Sequence, residues 1–226
     1  MKFSTLFLES TPILNQLYIE EALLRADNRN ILLFNMGSPP AIVMGISGKA
    51  SELIYEEKVL NDGILVIKRF SGGGTVVIDE NTLFVTLICN TEDVKIEGQP
   101  KEILVWGQKF FAPLIPGIEL CENDFVFGDL KVGGNAQYIR KGRFLLHTSF
   151  LWDFSPEKME YLKLPKKRPE YRKSRPHTEF LTTLKERLCK ESFIAALKNL
   201  GEPLTDLDEA LAREHRRSTT LINISQ

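Results

Sequence analysis

The sequence predicts an α+β protein whose mixed, largely antiparallel sheet is flanked by helices. Three observations carry that expectation. Short β-branched, apolar runs follow one another closely in ILVIKRF, TVVIDE and TLFVTLICN, the spacing of strands joined by turns. GDLKVGGNAQYI and RFLLHTSFLWDF, separated by Arg140, Lys141 and Gly142, read as a hairpin. Helical stretches stand before, between and after these runs, and no internal repeat or long low-complexity linker divides the chain.

Taken in order, STPILNQLYIEEALLRA offers a capping residue and then Leu14, Leu17, Tyr18, Ala22 and Leu24 at helical spacing, which predicts a helix from about Ile13 to Ala26. NILLFNM and AIVMGIS read as short buried strands, with GSPP enforcing a turn between them. ASELIYEEKVLND reads as a second helix, and ILVIKRF, TVVIDE and TLFVTLICN as a run of adjacent strands. In QPKEILVWGQKFFAPLIPG an apolar stripe of Ile103, Val105, Trp106, Phe110 and Leu114 predicts a helix that stops at Pro113 and Pro116. IELC and DFVF are strand candidates ahead of the hairpin. Beyond Pro156 the chain turns basic and Pro-rich, notably in KLPKKRPEYRKSRPH, and becomes helical again through KESFIAALKNL and TDLDEALAREH. Residues 1–226 are expected to form one domain, with 156–226 a basic loop plus a helical C-terminal portion.

Composition narrows the function classes. A formal net charge of −1 gives no general reason to expect nucleic acid as a partner, since binding to its backbone needs a concentrated basic surface. Cys89, Cys121 and Cys189 are odd in number and lack metal-type spacing, which argues against a disulfide framework or a zinc site. The opening MKFSTLFLESTPIL lacks the long apolar core of a secretory signal. No stretch is long enough to span a membrane, so a cytoplasmic protein is expected.

Two glycine-interrupted strand segments are the unusual features. RFSGGGTVV sets Arg69 and Ser71 before three glycines, as an anion-binding turn would, with backbone N–H groups converging on a phosphate or carboxylate. A bulged strand pair that needs close packing has the same appearance. In LKVGGNAQ, period-two alternation places Lys131, Gly133, Asn135 and Gln137 on one face, with a glycine leaving the lysine uncrowded. A solvated edge lysine is the alternative there.

RFSGGGTVVID followed by NTLF resembles the signature of lipoate–protein ligases, and KVGGNAQ resembles that family's lysine motif at about the right separation. FLLHTSFLWDF resembles its His-containing strand and KSRPHTEF a later Ser-Arg element, so the resemblance runs from about Leu6 to Leu184. It implies the biotinyl/lipoyl ligase-like fold and a catalytic domain that activates lipoic or octanoic acid with ATP and Mg²⁺. The resulting acyl-AMP would give its acyl group to a lysine of a lipoyl domain in a 2-oxoacid dehydrogenase or of the glycine-cleavage H protein. By the same resemblance, Arg69 and Gly74, Thr75, Val76 and Val77 would meet phosphate, ribose or the acyl–phosphate junction, while Ser71, Gly72 and Gly73 would shape the acyl pocket. Lys131 would be the catalytic cation between carboxylate and α-phosphate. Asn123 and Asp124 match an Asn-Asp pair near nucleotide and metal, with Asp124 the candidate Mg²⁺ carboxylate; Asn135 and His147 complete the set.

Several positions depart from the family pattern. Ile46, Ser47 and Gly48 stand where an Arg-Asn-Gln element is usual, and Leu146, His147, Thr148 and Ser149 replace His-His-Gly-Thr. A strict two-residue turn at Lys141 and Gly142 would put His147 on the face opposite Lys131, leaving a structural histidine as its other reading. The chain has little room for the accessory domain that many full ligases carry, so a ligase would work alone or with a separate accessory protein. An ATP-independent octanoyl or lipoyl transferase, with Cys121 as the cysteine nearest the lysine motif, is the alternative enzyme, and a carrier-binding module without turnover is the third reading. The basic run from Lys163 to Arg175 is the candidate surface for acidic carrier domains, against a plain solvated loop.

Overall fold

The computed structural model describes residues 2–165 and 168–224. Strand β1 (Phe3–Glu9), for which no element is expected from the sequence, leads into helix α1 (Ile13–Ala26) with the predicted bounds. Pro12 at the N-cap has no capping side chain, and Ser38 Oγ accepts the Ile13 N–H at 3.0 Å instead. Strands β2 (Ile31–Met36) and β3 (Ala41–Met44) follow. The single helix expected over ASELIYEEKVLND is two, α2 (Ala50–Leu53) and α3 (Glu56–Asn61). Ile54 adopts an extended conformation between them, wholly buried and bridged to Leu162, while the Tyr55 N–H bonds to the Tyr161 carbonyl. Burial of one isoleucine, about 2 kcal/mol, together with these bonds outweighs continuing a solvated helix.

Next come β4 (Leu65–Lys68), β5 (Val76–Ile78), β6 (Thr82–Asn90), α4 (Thr91–Val94) and α5 (Pro100–Phe111). A reciprocal capping box between Gln99 and Glu102 starts α5, and Pro113 lies just beyond its end. The chain continues through β7 (Glu119–Cys121), β8 (Asp124–Phe127) and the hairpin β9 (Leu130–Arg140) and β10 (Arg143–Leu151). It then passes α6 (Pro156–Met159), a 3₁₀ turn at Glu170–Arg172 and α7 (His177–Phe180). The last elements are α8 (Lys190–Lys198), β11 (Gly201–Pro203), α9 (Leu207–Ala212) and β12 (Thr220–Leu221).

The strands divide between two mixed sheets, one ordered β11-β1-β2-β6-β10-β9-β8-β7 and the other β12-β4-β3-β5. This corrects the expected run of neighbours: β3 lies between β4 and β5, and β6 belongs to the larger sheet. The α2–α3 crossover makes β4 parallel to β3, so the next strand takes β3's other edge. Among the described strands β1 pairs in parallel with β2 and β11, and β3 with β4, while the other ladders are antiparallel.

Helix α1 lies between the sheets. Ile13 and Leu17 pack on Val43 and Ile67 of the small sheet and on Phe84 of the large one, while Leu23 and Leu24 meet Ile31, Ile88 and Leu145. The outer face of the large sheet forms the main core with α5 and α8, dominated by Phe34, Phe111, Phe125, Phe144 and Phe150. The small sheet's outer face packs on Ile54, Val59, Met159 and Leu162. Among the described residues no helix is long and apolar enough to cross a membrane.

Candidate functional site

The glycine turn is stitched to two neighbours. Ile46 N–H bonds to the Ser71 carbonyl, and Gly72 N–H bonds to the Gln137 carbonyl of β9. Gly73 has φ +114°, and a Cβ there would lie 2.6 Å from Arg69 Nη2 and 2.9 Å from the Asn135 carbonyl oxygen. Glycine is therefore demanded by conformation and by space. Arg69 is 4% exposed, and its guanidinium donates to the carbonyls of Val43, Gly72 and Gly74, the last at 2.8 Å. Burial lowers its pKa to about 10, partly opposed by the Glu20 carboxylate, so it stays charged at neutral pH. Arg69 thus pins the turn from beneath; contact with a phosphate would require it to exchange these bonds. Asp79, at the motif's end, accepts the Asn81 N–H and pairs with Lys158. Thr75, Val76 and Val77 line a pocket of about 80 Å³ between the sheets, whereas Ser71, Gly72, Gly73 and Gly74 are not among its lining residues.

Lys131 reaches that pocket through a β-bulge. Phe125 pairs with Gly133, but Val126 pairs with Lys131, leaving Val132 as an extra residue in β9. Val132 is wholly buried in the main core, and a Cβ on Gly133 would press on the Phe150 ring at 2.9 Å. Lys131 is thereby turned to the face of Gly134, whose absent Cβ would lie 3.2 Å from Lys131 Nζ. The expectation that Lys131 shares a face with Gly133, Asn135 and Gln137 is corrected: an extra residue reverses the alternation. Asn135 points the other way, accepting from Thr148 Oγ1 at 2.7 Å and donating to the Asn123 carbonyl at 3.0 Å.

The same bulge settles the face of His147. The hairpin turn at Lys141 and Gly142 is the strict two-residue kind, with Arg140 opposite Arg143, and His147 is opposite Ala136. His147 and Lys131 therefore share a face. His147 is 6% exposed, with Nδ1 2.9 Å from Glu20 Oε1, and the same carboxylate accepts from Gln16 and Thr86. This polar cluster between α1 and the large sheet places His147 among residues outside the pocket lining.

Asp124 joins the site to the segment over residues 171–182. Its Oδ1 lies 2.8 Å from Lys131 Nζ, and its Oδ2 accepts from Tyr171 Oη at 2.9 Å. Burial and the Asp124 charge push the Tyr171 phenol up, so it remains a neutral donor. Asn123 is exposed in the β7–β8 turn and contributes its carbonyl. Thr182 N–H bonds to the Lys131 carbonyl at 2.8 Å, and Arg175 ties the segment to Asp129.

That segment brings Arg172, from the basic run expected to be a carrier-docking surface or a solvated loop, together with His177 just beyond it. Arg172 is 5% exposed and stacks 4.7 Å above the Phe180 ring, and with His177 it lines the pocket holding Lys131. His177 is pushed down to about 4 by burial, then by the charges of Arg172 and Lys131, so it is neutral at pH 7. The aromatic residues beside the charges, Tyr171 and Phe180, were the available sign that this stretch folds onto something. Lys166 and Lys167 of the run lie outside the described residues.

Two further sequence candidates can be placed. The Cys121 thiol, at the end of β7, is pushed up by burial and by Glu122, Asp124 and Glu119, opposite to what a nucleophile requires. Among the described residues no group of three or more His, Cys, Asp or Glu gathers to hold a metal. Asp124 offers a single carboxylate.

Residues 12–200 match the family described as lipoyl protein ligase A/B catalytic domain. The inactive lipoate–protein ligase 2 of Plasmodium falciparum is 30% identical over 197 residues, covering 71% of this chain and 50% of that protein. Lipoate-protein ligase LplJ of Bacillus subtilis is 31% identical over 130 residues, 54% of this chain and 37% of the relative. The chain thus spans half or less of the length of these two relatives. Among solved structures, a lipoate-protein ligase A bound with ATP superposes with TM-score 0.67 at 21% identity, covering 94% of this chain and 93% of the other. The bipartite lipoate protein ligase of Thermoplasma acidophilum gives 0.69 at 20% identity, covering 94% and 91%. These similarities establish the two-sheet fold. Because the family match runs through the glycine turn, the bulged lysine strand and the segment that covers them, the chain belongs to the lipoyl protein ligase A/B catalytic domain family.

Proposed function

We propose that this chain activates lipoate or octanoate with ATP, forming an acyl-AMP, and transfers the acyl group to a lysine of a lipoyl carrier domain. The observation that carries the reading is the bulge in β9, which delivers the Lys131 ammonium into a pocket walled by Thr75–Val77. Attack of a carboxylate on an α-phosphate brings two anions together, and a preorganised cation between them stabilises charge that grows in the transition state. Asp124 holds Lys131 in place at 2.8 Å, so the ammonium need not be ordered when substrate arrives. Loss of its share in that ion pair would be offset by the incoming anions.

Mg²⁺ binding to nucleotide needs one or two protein carboxylates, with phosphate oxygens and water completing the octahedron. Asp124 is the carboxylate at hand, and it would share its oxygens with Lys131 and Tyr171; the metal would supply neutralisation of phosphate charge. On the carrier side, exposed Arg168 and Lys173 stand on the basic segment and favour encounter with acidic domains, whether or not an accessory protein takes part.

Because one relative bears the name of an inactive ligase, adenylation itself is the deciding measurement. The pure protein, given octanoate or lipoate, ATP and Mg²⁺, should release pyrophosphate and accumulate acyl-adenylate. Lys131→Ala should fold normally and lose at least ~10²-fold in that step, and Lys131→Arg should rescue poorly, since a planar fork does not replace a compact ammonium. Cys121→Ser should leave the rate nearly unchanged. Full adenylation by Lys131→Ala would sink the assignment, and octanoyl transfer without ATP that depends on Cys121 would install a transferase in its place.

A further inference from the structure

Arg172 is the one buried cation of the pocket that the proposed reaction leaves without a task. Its side chain is 95% withdrawn from water, being 5% exposed. Nε donates to the Arg175 carbonyl at 3.2 Å, the guanidinium carbon stacks 4.7 Å above Phe180, and Nη2 has no hydrogen-bond partner among the described residues. Asp124 is the carboxylate whose field reaches it, but both Asp124 oxygens are engaged by Lys131 and Tyr171. A charged guanidinium shut from water without a counter-ion is strongly destabilising, and such an arrangement is retained where an anion completes it. The Phe180 ring and the Arg175 carbonyl fix its plane, which prepares a fork for phosphate or carboxylate oxygens.

We propose that Arg172 is the second cation of an oxyanion site in this pocket, offering Nη2 to a phosphate or carboxylate oxygen of the ligand that Lys131 also holds. His177 lines the same pocket and feels the charges of both Arg172 and Lys131. Its neutrality keeps a third positive charge out of the site. The inference rests on the adenylating reading for the identity of the ligand, though not for the existence of the anion site.

Thermal unfolding of the full chain with added ligands tests it. AMP is compared with adenosine, and octanoate with octanamide, so that each pair differs in one anionic group. Arg172→Met keeps the apolar stem and removes the charge. Without ligand its Tm should equal or exceed the wild-type value, because an uncompensated buried charge is gone. Its affinity for AMP, for octanoate, or for both should fall ~10-fold or more while binding of the neutral partners is unchanged; whichever anion loses affinity is the one Arg172 holds.

Wild-type-like preference for both anions in Arg172→Met overturns the proposal, as does a lowered Tm with the anion-induced rise intact. If wild type ignores AMP and octanoate but inorganic phosphate stabilises it through Arg172, the anion site stands and the adenylating reading falls. If no anion stabilises wild type, both fall. Should Arg172→Met not fold, Phe180→Leu takes the ring from beneath the guanidinium. The anion-induced rise should then shrink several-fold, and an unchanged rise rejects the idea.

Discussion

Gly73 and Gly74 are neighbours, yet a methyl group would meet different things at each. At Gly73 it would strike Arg69 Nη2 and the Asn135 carbonyl in a left-handed conformation, while at Gly74 nothing lies within 4 Å. Gly73→Val should therefore displace the guanidinium that pins the turn, at a cost of about 1–3 kcal/mol in backbone strain alone. Acyl-adenylate affinity should fall ~10-fold or more. Gly74→Ala should change stability by no more than about 0.5 kcal/mol. Urea unfolding and calorimetric titration of both variants check this, and equal behaviour would mean that the turn is not built around Gly73. The glycine run and Lys131 were legible because glycines interrupt apolar, β-branched runs at both places and because the two segments resemble a family's motifs. Arg172 was not, since Arg168 and Arg172 look alike in KKRPEYRK, and an arginine in solvent has the same sequence as one over a phenyl ring; only the fold distinguishes them.

Residues 171–182 act as one element although they contain just a 3₁₀ turn and a single turn of helix. Beside the buried Phe180 ring, polar bonds hold them: Arg175 donates to Asp129 Oδ2, the Asp129 carbonyl and the Tyr171 carbonyl, all at 2.8–2.9 Å. Arg175 is 20% exposed at its side chain and its partner Asp129 76%, so the ion pair itself is screened and the carbonyl bonds carry most of the effect. Arg175→Ala should lower global stability by only about 1–2 kcal/mol but should raise tryptic cleavage after Lys173 well beyond that. A cleavage rate that rises only in step with global stability would show that the segment does not open separately. The bulge in β9 is a feature of the same scale that period-two reading misses, because KVGGNAQ gives no mark for one extra residue. Paired glycines in a strand do signal an irregularity, but the bulge at Val132 is fixed by β8 pairing and by the phenylalanine core. Strand β11 was equally hidden: Gly201 pairs there because a Cβ would come 2.2 Å from the Phe3 carbonyl oxygen, a reason no propensity contains.

The two sheets meet through α1 and through the last described residues, and that joint governs the whole molecule. Glu21 on α1 is fully buried and accepts from Ser218 N–H at 3.0 Å, from Thr219 N–H at 3.2 Å and from Arg25 Nη2 at 2.9 Å. A few residues on, β12 pairs with β4, and Ile222 and Ile224 pack against the outer face of the small sheet. The belt thus ties the helix between the sheets to the edge of the small one, which carries Thr75–Val77 at its other edge. Ending the chain after Arg217 would strip Glu21 of its backbone donors and expose both isoleucines. The Arg25 ion pair would remain, so the loss is of two hydrogen bonds to a charged group, about 1.5–3 kcal/mol each, and the lost apolar burial adds about 2 kcal/mol or more. Glu21→Gln in the full chain separates the two contributions: it removes the charge while leaving an acceptor for the N–H groups, so it should cost less than the truncation. The truncated protein should also bind acyl-adenylate more weakly than Glu21→Gln does, because the small sheet loses an edge strand. Equilibrium unfolding in urea gives the first comparison and calorimetry the second; a truncation as stable as wild type would show that the belt lies on the fold without holding it.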